Sequence, residues 1–237
     1  MSSYRRVMLK LSGETFGGES GQGLDKAAIK AIAEEIRQVA AAGVELTIVI
    51  GGGNFLRGSA CEDLGLERGT ADYMGMLATM MNALALQTII ETMGYQTRTL
   101  SAIESHQICE PYIRRRAIRH MEKGRIIILA GGTGNPYFTT DTAAALRATE
   151  LGCQVLLKAT KVDGIYDKDP KKHPDAVKYK KVTFEEAIQK RLGVMDATAF
   201  TLCSENNLPI IVCSIHEPGN MLKAIMGQNI GTLVTHG

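Results

Sequence analysis

The sequence predicts an α/β protein, a three-layer αβα sandwich around a largely parallel central sheet of about eight strands. Three observations lead there. Short β-branched runs alternate with helical patterns from one end of the chain to the other. The runs Leu46-Thr-Ile-Val-Ile and Ile126-Ile-Ile-Leu-Ala are continuous or nearly so in apolar character, which suits strands covered on both faces. Three strand candidates lead straight into glycine-rich turns.

Strands are expected at 7–11, 45–50, 96–100, 125–130, 154–158, 210–214 and 232–234. The segment 25–42 places Ile29, Ile32, Ile36 and Val39 on one stripe, with Asp25 as N-cap and Gly43 just past the end, so a helix packs there on the sheet. In 71–93, Met74, Met76, Leu77, Met80, Met81, Leu84 and Leu86 leave almost no polar face. That helix is expected to be buried nearly all round, either in the core or in part against another subunit. Residues 142–151 form a further helix, and Pro111 opens another whose Arg114, Arg115, Arg116 and Arg119 make a solvated face. The lysine-rich 168–181 is a surface excursion, and glycine-rich 17–23 a mobile loop.

At 237 residues the chain is one domain, 1–237, with an acceptor-side lobe over roughly 1–150 and a second lobe over roughly 151–237. A net charge of +2 gives no footprint for duplex DNA or an anionic membrane, so any anion site must be local. The five cysteines are widely separated and show no Cys-x-x-Cys pair; they are core fillers of a protein in a reducing compartment, with the cytoplasm as default. The N-terminus lacks a signal-peptide pattern, and no apolar run approaches the roughly eighteen residues of a spanning helix.

The glycine-rich turns are Lys10-Leu-Ser-Gly-Glu, Gly51-Gly-Gly-Asn-Phe-Leu-Arg-Gly and Gly131-Gly-Thr-Gly-Asn-Pro-Tyr-Phe-Thr-Thr-Asp. In open α/β sheets ligands bind at the carboxyl ends of strands, and glycine lets backbone N–H groups approach phosphate oxygens, so three such turns together point to a polyphosphate. A P-loop sequence is absent, and neither glycine cluster fits the dinucleotide-binding fingerprint, which sets aside P-loop enzymes and dehydrogenases. Lys10, at the end of the first strand, is the point charge a transferring phosphoryl group requires; a strand-end lysine reaching solvent is the plainer alternative.

These turns, together with Arg57-Gly58, Ala71-Asp-Tyr-Met-Gly-Met-Leu-Ala-Thr and Lys161-Val-Asp-Gly-Ile-Tyr, resemble the bacterial UMP kinases of the amino acid kinase fold family, in order and spacing from the first strand to the last. The resemblance implies phosphorylation of UMP by ATP in de novo pyrimidine nucleotide synthesis. It implies an ATP site of Lys10, Leu11, Ser12, Gly13, Gly53, Arg57, Thr160, Tyr166 and Asp169, and a UMP site of Gly52, Asp72, Thr133, Gly134, Asn135, Pro136, Tyr137, Phe138, Thr139 and Thr140. Catalysis would rest on Lys10, Arg57 and Asp141, with Mg²⁺ carried by ATP. Family members are typically hexamers, often activated by GTP and inhibited by UTP, and residues matching Gly18, Glu19, Ser20, Gly21, Gln22 and Gly23 are implicated in the GTP response.

Read from chemistry alone, Asp72 serves equally as an acceptor for ribose hydroxyls or as a first-turn acid complementing a helix dipole. Thr133, Asn135, Thr139 and Thr140 are uncharged donors or ordinary turn and cap residues, and Asp141 also suits a helix cap. Asp196 is read as an N-cap, and Lys158 and Lys161 as phosphate-reaching or surface lysines. A phosphate monoester has its second pKa near ~6, so it arrives largely ionised and needs no general base. His106, His120, His173, His216 and His236 all lie outside the glycine turns, as that chemistry requires. The rival readings are a non-catalytic nucleotide-binding protein, against which Lys10, Arg57 and Asp141 speak, and a family kinase acting on a small carboxylate or carbamate, against which Asp72 speaks.

Overall fold

The computed structural model describes residues 3–56, 65–170 and 172–237. Its strands are β1 (Arg6–Leu11), β2 (Glu45–Ile50), β3 (Thr97–Ser101), β4 (Glu110–Pro111), β5 (Ile126–Ala130), β6 (Val155–Thr160), β7 (Lys181–Thr183), β8 (Ile210–Ser214) and β9 (Thr232–Thr235). They form one sheet of nine strands, in the order β4-β3-β5-β2-β1-β6-β8-β9-β7. Every neighbouring pair is parallel except β8 with β9. The seven strands legible in the sequence are all present. The two it does not show, β4 and β7, are two and three residues long, too short to display a period.

Alternation along the strands sorts side chains between two cores. Val7, Leu9 and Leu11 join Ile48, Ile128 and Leu157 on one face, beneath α1 (Lys26–Ala41), α2 (Arg68–Thr92) and α7 (Asn220–Ile225). Met8, Val49, Ile127 and Leu156 face the other way, toward α3 (Arg114–Glu122), α4 (Thr140–Leu151), α5 (Phe184–Gln189) and α6 (Ala197–Glu205). In α1 the stripe Ile29, Ile32, Ile36 and Val39 is buried, Asp25 accepts from the Ala28 N–H at 2.7 Å as N-cap, and Gly43 follows at φ 78°. Of the described cysteines, Cys203 and Cys213 are buried and Cys109 and Cys153 half-buried; burial pushes the Cys153, Cys203 and Cys213 thiols up to about 12. They are packing groups at neutral pH.

Three expectations change. Pro111 lies in β4 instead of opening a helix, and α3 starts at Arg114 after Ile113 as N-cap. The sequence makes α2 apolar all round, yet only one side is buried: Tyr73, Met74, Leu77 and Met81 are 40–53% exposed and lie on its outer face. By length and composition α2 is also apolar enough to cross a membrane, but its inner face packs into the sandwich and carries buried Thr79 and Asn82. The glycine-rich stretch is not plain loop either. Residues Gly13–Ser20 form 3-10 turns broken at Gly18, where φ is 59°, and Phe16 and Gly17 are buried.

The core assignment makes a simple prediction. Ile36 is fully buried and Ile188 is 58% exposed. In chemical denaturation Ile36→Ala should lose about 2–5 kcal/mol and Ile188→Ala under about 0.5 kcal/mol; equal losses would contradict the burial pattern.

Candidate active site

The carboxyl ends of β1, β2, β5, β6 and β8 meet at one edge of the sheet. Succeeding strands leave β1 in both directions, β2 on one side and β6 on the other, so this edge holds the topological switch point. Lys10 and Lys158 are register partners on these two parallel strands, and both side chains fall on the face of Met8 and Leu156. Two ammonium groups about 5 Å apart repel by about 3 kcal/mol at the effective dielectric of a protein.

Asp141 resolves the conflict. Its Oδ1 lies 2.8 Å from Lys10 Nζ and its Oδ2 accepts from Lys158 Nζ at 2.7 Å. The three side chains are only 12–17% exposed. The Oδ1 contact is one of charge rather than of an aligned hydrogen bond, since Oδ1 has no directed donor. Burial pushes the Asp141 carboxyl up, but the two ammonium groups outweigh it and hold the group below the ordinary carboxylate range. For Lys158 burial dominates and lowers its pKa, Lys10 adds to that, and Asp141 opposes. Lys158 also donates to the Val194 carbonyl at 2.7 Å.

Local sequence brings Asp141 into reach. Ala143, Ala144, Ala145 and Ala148 are fully buried, so α4 lies close on the sheet. Thr139 caps the helix by accepting from the Thr142 N–H at 3.1 Å, and its own hydroxyl donates to Asp196. Asp196 caps α6 through the Ala199 N–H at 3.1 Å, as the sequence suggests, and ties the two helix N-termini together. Asp141 stands in the first turn rather than at the cap. Positive helix ends and lysines here make the edge attractive to anions.

Beside this triad opens a cavity of about 590 Å³, lined by Gly52, Gly53, Arg68, Asp72, Met76, Thr79, Thr133, Phe138, Thr139 and Thr140. Six residues expected to hold the acceptor, Gly52, Asp72, Thr133, Phe138, Thr139 and Thr140, therefore share one chamber. Gly53, expected on the ATP side, lines it too. Gly134, Asn135, Pro136 and Tyr137 are not part of its lining, but they shape the loop. Asn135 folds back on Thr133 through its N–H at 3.1 Å, and the Tyr137 N–H donates to Asp72 Oδ2 at 2.7 Å with Tyr137 at φ 71°. Arg68 pairs with the Asp72 carboxylate at 2.9 Å. Arg147, buried beneath the loop, donates to the Thr133 carbonyl at 3.4 Å and stacks 4.0 Å from the Tyr112 ring centroid.

Leu11 ends β1, and Ser12 and Gly13 lead away from it toward the Gly51–Gly53 backbone. A Cβ on Gly13 would lie 2.5 Å from the Gly53 nitrogen, so only glycine permits the approach. Thr160 ends β6, and Lys161 pairs with Glu14 at 3.0 Å. The Tyr166 hydroxyl donates to Asp163 at 2.6 Å, and the Asp169 carbonyl accepts from the His173 N–H at 2.9 Å in the following turn. Gly18, Glu19 and Ser20 border a separate cavity of about 800 Å³ with Lys161 and His216. Gly21 and Gln22 turn back on Gly18 and Ser20, and Gly23 is held by Asn54. Arg57 lies outside the described residues. Among the described residues no cluster of three or more acidic, His or Cys side chains is arranged to hold a metal.

The sequence leaves Lys158 undecided and passes over Arg68, Thr79, Asn82 and Arg147. The register of β1 with β6 is what brings Lys158 in, and no local pattern reports it. Thr79 and Asn82 are visible as the polar exceptions in the apolar run 74–86.

A parallel sheet whose strand ends carry glycine loops around a Lys-Asp-Lys centre defines an α/β protein built to hold phosphate groups. The chain belongs to the amino acid kinase family, whose model matches residues 5–214. It is 56% identical over 232 residues to a uridylate kinase of Cereibacter sphaeroides, covering 98% of this chain and 94% of that protein. The structure superimposes with TM-score 0.96 on a UMP kinase from Bacillus anthracis, at 36% identity over 98% of this chain and 96% of that one. A UMP kinase from Ureaplasma parvum matches with TM-score 0.93, also at 36% identity, over 98% of each chain.

The depressed Asp141 pKa carries a signed prediction. A carboxylate that ionises more readily folded than unfolded contributes stability above its unfolded pKa and loses it as pH falls through the folded value. Asp141→Asn should therefore cost about 3 kcal/mol at pH 7 by leaving two lysines unpaired. The gap from the parent should close in urea titrations as pH falls below the carboxylate range; a gap independent of pH would remove the charge assignment.

Proposed function

We propose that the protein transfers the γ-phosphoryl group of MgATP to the phosphate of UMP, giving UDP and ADP. The observation that carries this reading is the Lys10–Asp141–Lys158 centre, set between a chamber of nucleotide size and the carboxyl ends of β1 and β6. The identity to a uridylate kinase over nearly the whole chain supports UMP as acceptor.

Phosphoryl transfer needs positioning and charge stabilisation more than covalent help. Lys10 and Lys158 stabilise charge on the oxygens of the moving group, Arg57 assists, and Asp141 keeps the two ammonium groups together. Asp141 Oδ2 is committed to Lys158 and Oδ1 faces Lys10 by charge alone; with no metal-holding cluster among the described residues, Mg²⁺ would enter with ATP, and Asp141 Oδ1 is the protein oxygen open to it. Bound with ATP, Mg²⁺ would neutralise phosphate charge. Leu11, Ser12, Gly13, Gly53, Thr160, Tyr166 and Asp169 hold ATP. Gly52, Asp72, Thr133 and Thr140 hold UMP, with Asp72 accepting from ribose. Thr139, which also lines the chamber, joins this set, its hydroxyl held by Asp196. The nucleotide-side lobe begins near residue 151.

The same reading extends to regulation and assembly. The exposed apolar face of α2, Tyr73, Met74, Leu77 and Met81, suits a second copy in a homohexamer. GTP activates through the 18–23 segment, and UTP, sharing uridine with the acceptor, inhibits at its chamber. The protein works in the cytoplasm.

A coupled assay offering ATP with UMP, CMP, N-acetylglutamate or carbamate tests the substrate; turnover of a carboxylate or carbamate in preference to UMP overturns it. Lys10→Met should lower kcat by about 10²–10³-fold while UMP affinity holds within about threefold, and near-normal turnover would remove Lys10 from the mechanism. With no general base, the acid limb of kcat/KM for UMP should track the acceptor's second ionisation near ~6. An acid limb displaced well above that value would require a titrating side chain.

A further inference from the structure

α2 is apolar from Met74 to Leu86 apart from Gly75, Thr79 and Asn82. At 100° per residue Asp72, Gly75, Thr79 and Asn82 fall on one face. That face touches both acceptor loops. The Gly131 N–H donates to Thr79 Oγ1 at 2.8 Å, and the same hydroxyl donates to the Met76 carbonyl at 2.7 Å. Asn82 Nδ2 donates to the Gly51 carbonyl at 2.8 Å and to Asn54 Oδ1 at 2.7 Å, while Asn54 Nδ2 returns a bond to Asn82 Oδ1 at 2.9 Å and donates to the Gly23 carbonyl at 2.6 Å. All four amide N–H bonds of this buried pair are used. Between the two attachments Gly52 lies so close to α2 that a Cβ there would fall 2.5 Å from the Gly75 carbonyl oxygen.

A buried hydroxyl and a buried amide are unfavourable in an apolar helix unless paired. Here every partner belongs to a loop that borders the acceptor chamber, or to the helix itself. The two loops leave neighbouring strands, β2 and β5, whose ladder fixes their bases as far as Val49 and Leu129; past that pair the strands no longer hold them together. A rigid helix with one attachment to each does so.

We infer that Thr79 and Asn82 are positioning residues: through α2 they set the separation of the 51–54 and 131–134 loops, and thereby where the acceptor phosphate sits relative to Lys10. The inference rests on the acceptor assignment above and goes beyond it in making the helix, rather than the loops themselves, the determinant of that geometry. Thr79→Val keeps the shape and removes both hydrogen bonds. Thr79→Ser keeps the bonds and removes a methyl group.

The experiment measures KM and kcat for UMP and for ATP separately, direct UMP binding by calorimetry, and the melting temperature, for Thr79→Val, Thr79→Ala, Thr79→Ser and Asn82→Ala. Thr88→Val, an exposed position on the same helix whose hydroxyl bonds only to Leu84, is the control. Thr79→Val and Asn82→Ala should lower kcat/KM for UMP by about tenfold or more, with KM for ATP within about twofold, and Thr79→Ser should return to within about threefold of the parent. Thr79→Ala gives the same readout if the valine variant does not fold. Parallel loss toward both nucleotides in step with melting temperature, parent-like Thr79→Val kinetics, or no rescue by serine would overturn the inference. Failure of the parent itself to turn over UMP would instead overturn the functional proposal, while calorimetry still reads UMP placement in the variants.

Discussion

Two lysines on adjacent parallel strands in exact register would repel, and the site depends on the carboxylate that holds them together. Lys10 and Lys158 sit side by side because β1 and β6 pair without a stagger. Asp141 reaches both because four buried alanines let α4 lie close on the sheet, and because Thr139 and Asp196 fix where that helix begins. The centre keeps a net charge of +1 from two ammonium groups and one carboxylate, concentrated at a helix N-terminus. That is enough to attract phosphate oxygens without the wide basic surface that the near-neutral chain lacks.

The second constraint is spatial. Glycine loops approach phosphate closely because they have no side chains, and for the same reason they have little of their own to hold them in place. Here the restraint comes from outside them. Thr79 and Asn82 tie two loops to α2, Gly13 meets the backbone of 51–53 at van der Waals limits, and Arg147 supports the third turn from below. α2 is therefore two-faced in an unusual sense, with polar attachments inside and an apolar surface of Tyr73, Met74, Leu77 and Met81 outside.

Much of this is legible in the chain. Apolar runs and glycine turns mark the seven longer strands, a 3.6-residue stripe marks α1, Lys10 stands out by type and place, and Asp141 is singled out by the family resemblance. What escapes the sequence is whatever depends on neighbours distant along the chain. Lys158 enters the centre by strand register, β4 and β7 are too brief to show alternation, and the outer face of α2 looks identical to a buried one because methionine and leucine pack either way. Thr139 is a further case: its type suits both a cap and a phosphate neighbour, and its bond to Asp196, 57 residues away, shows in no local pattern.

The proposed reaction requires the lysine centre and the glycine loops to form one continuous cradle for two phosphate chains facing each other. A crystal structure with an adenosine–uridine pentaphosphate, which joins both substrates in one molecule, tests it most directly. Uridine is expected in the chamber beside Asp72, the phosphate chain passing Gly52 and Lys10, and adenosine beyond Gly13 toward Tyr166. Phosphates bound away from Lys10 and Lys158, or the uridine end outside that chamber, would contradict it.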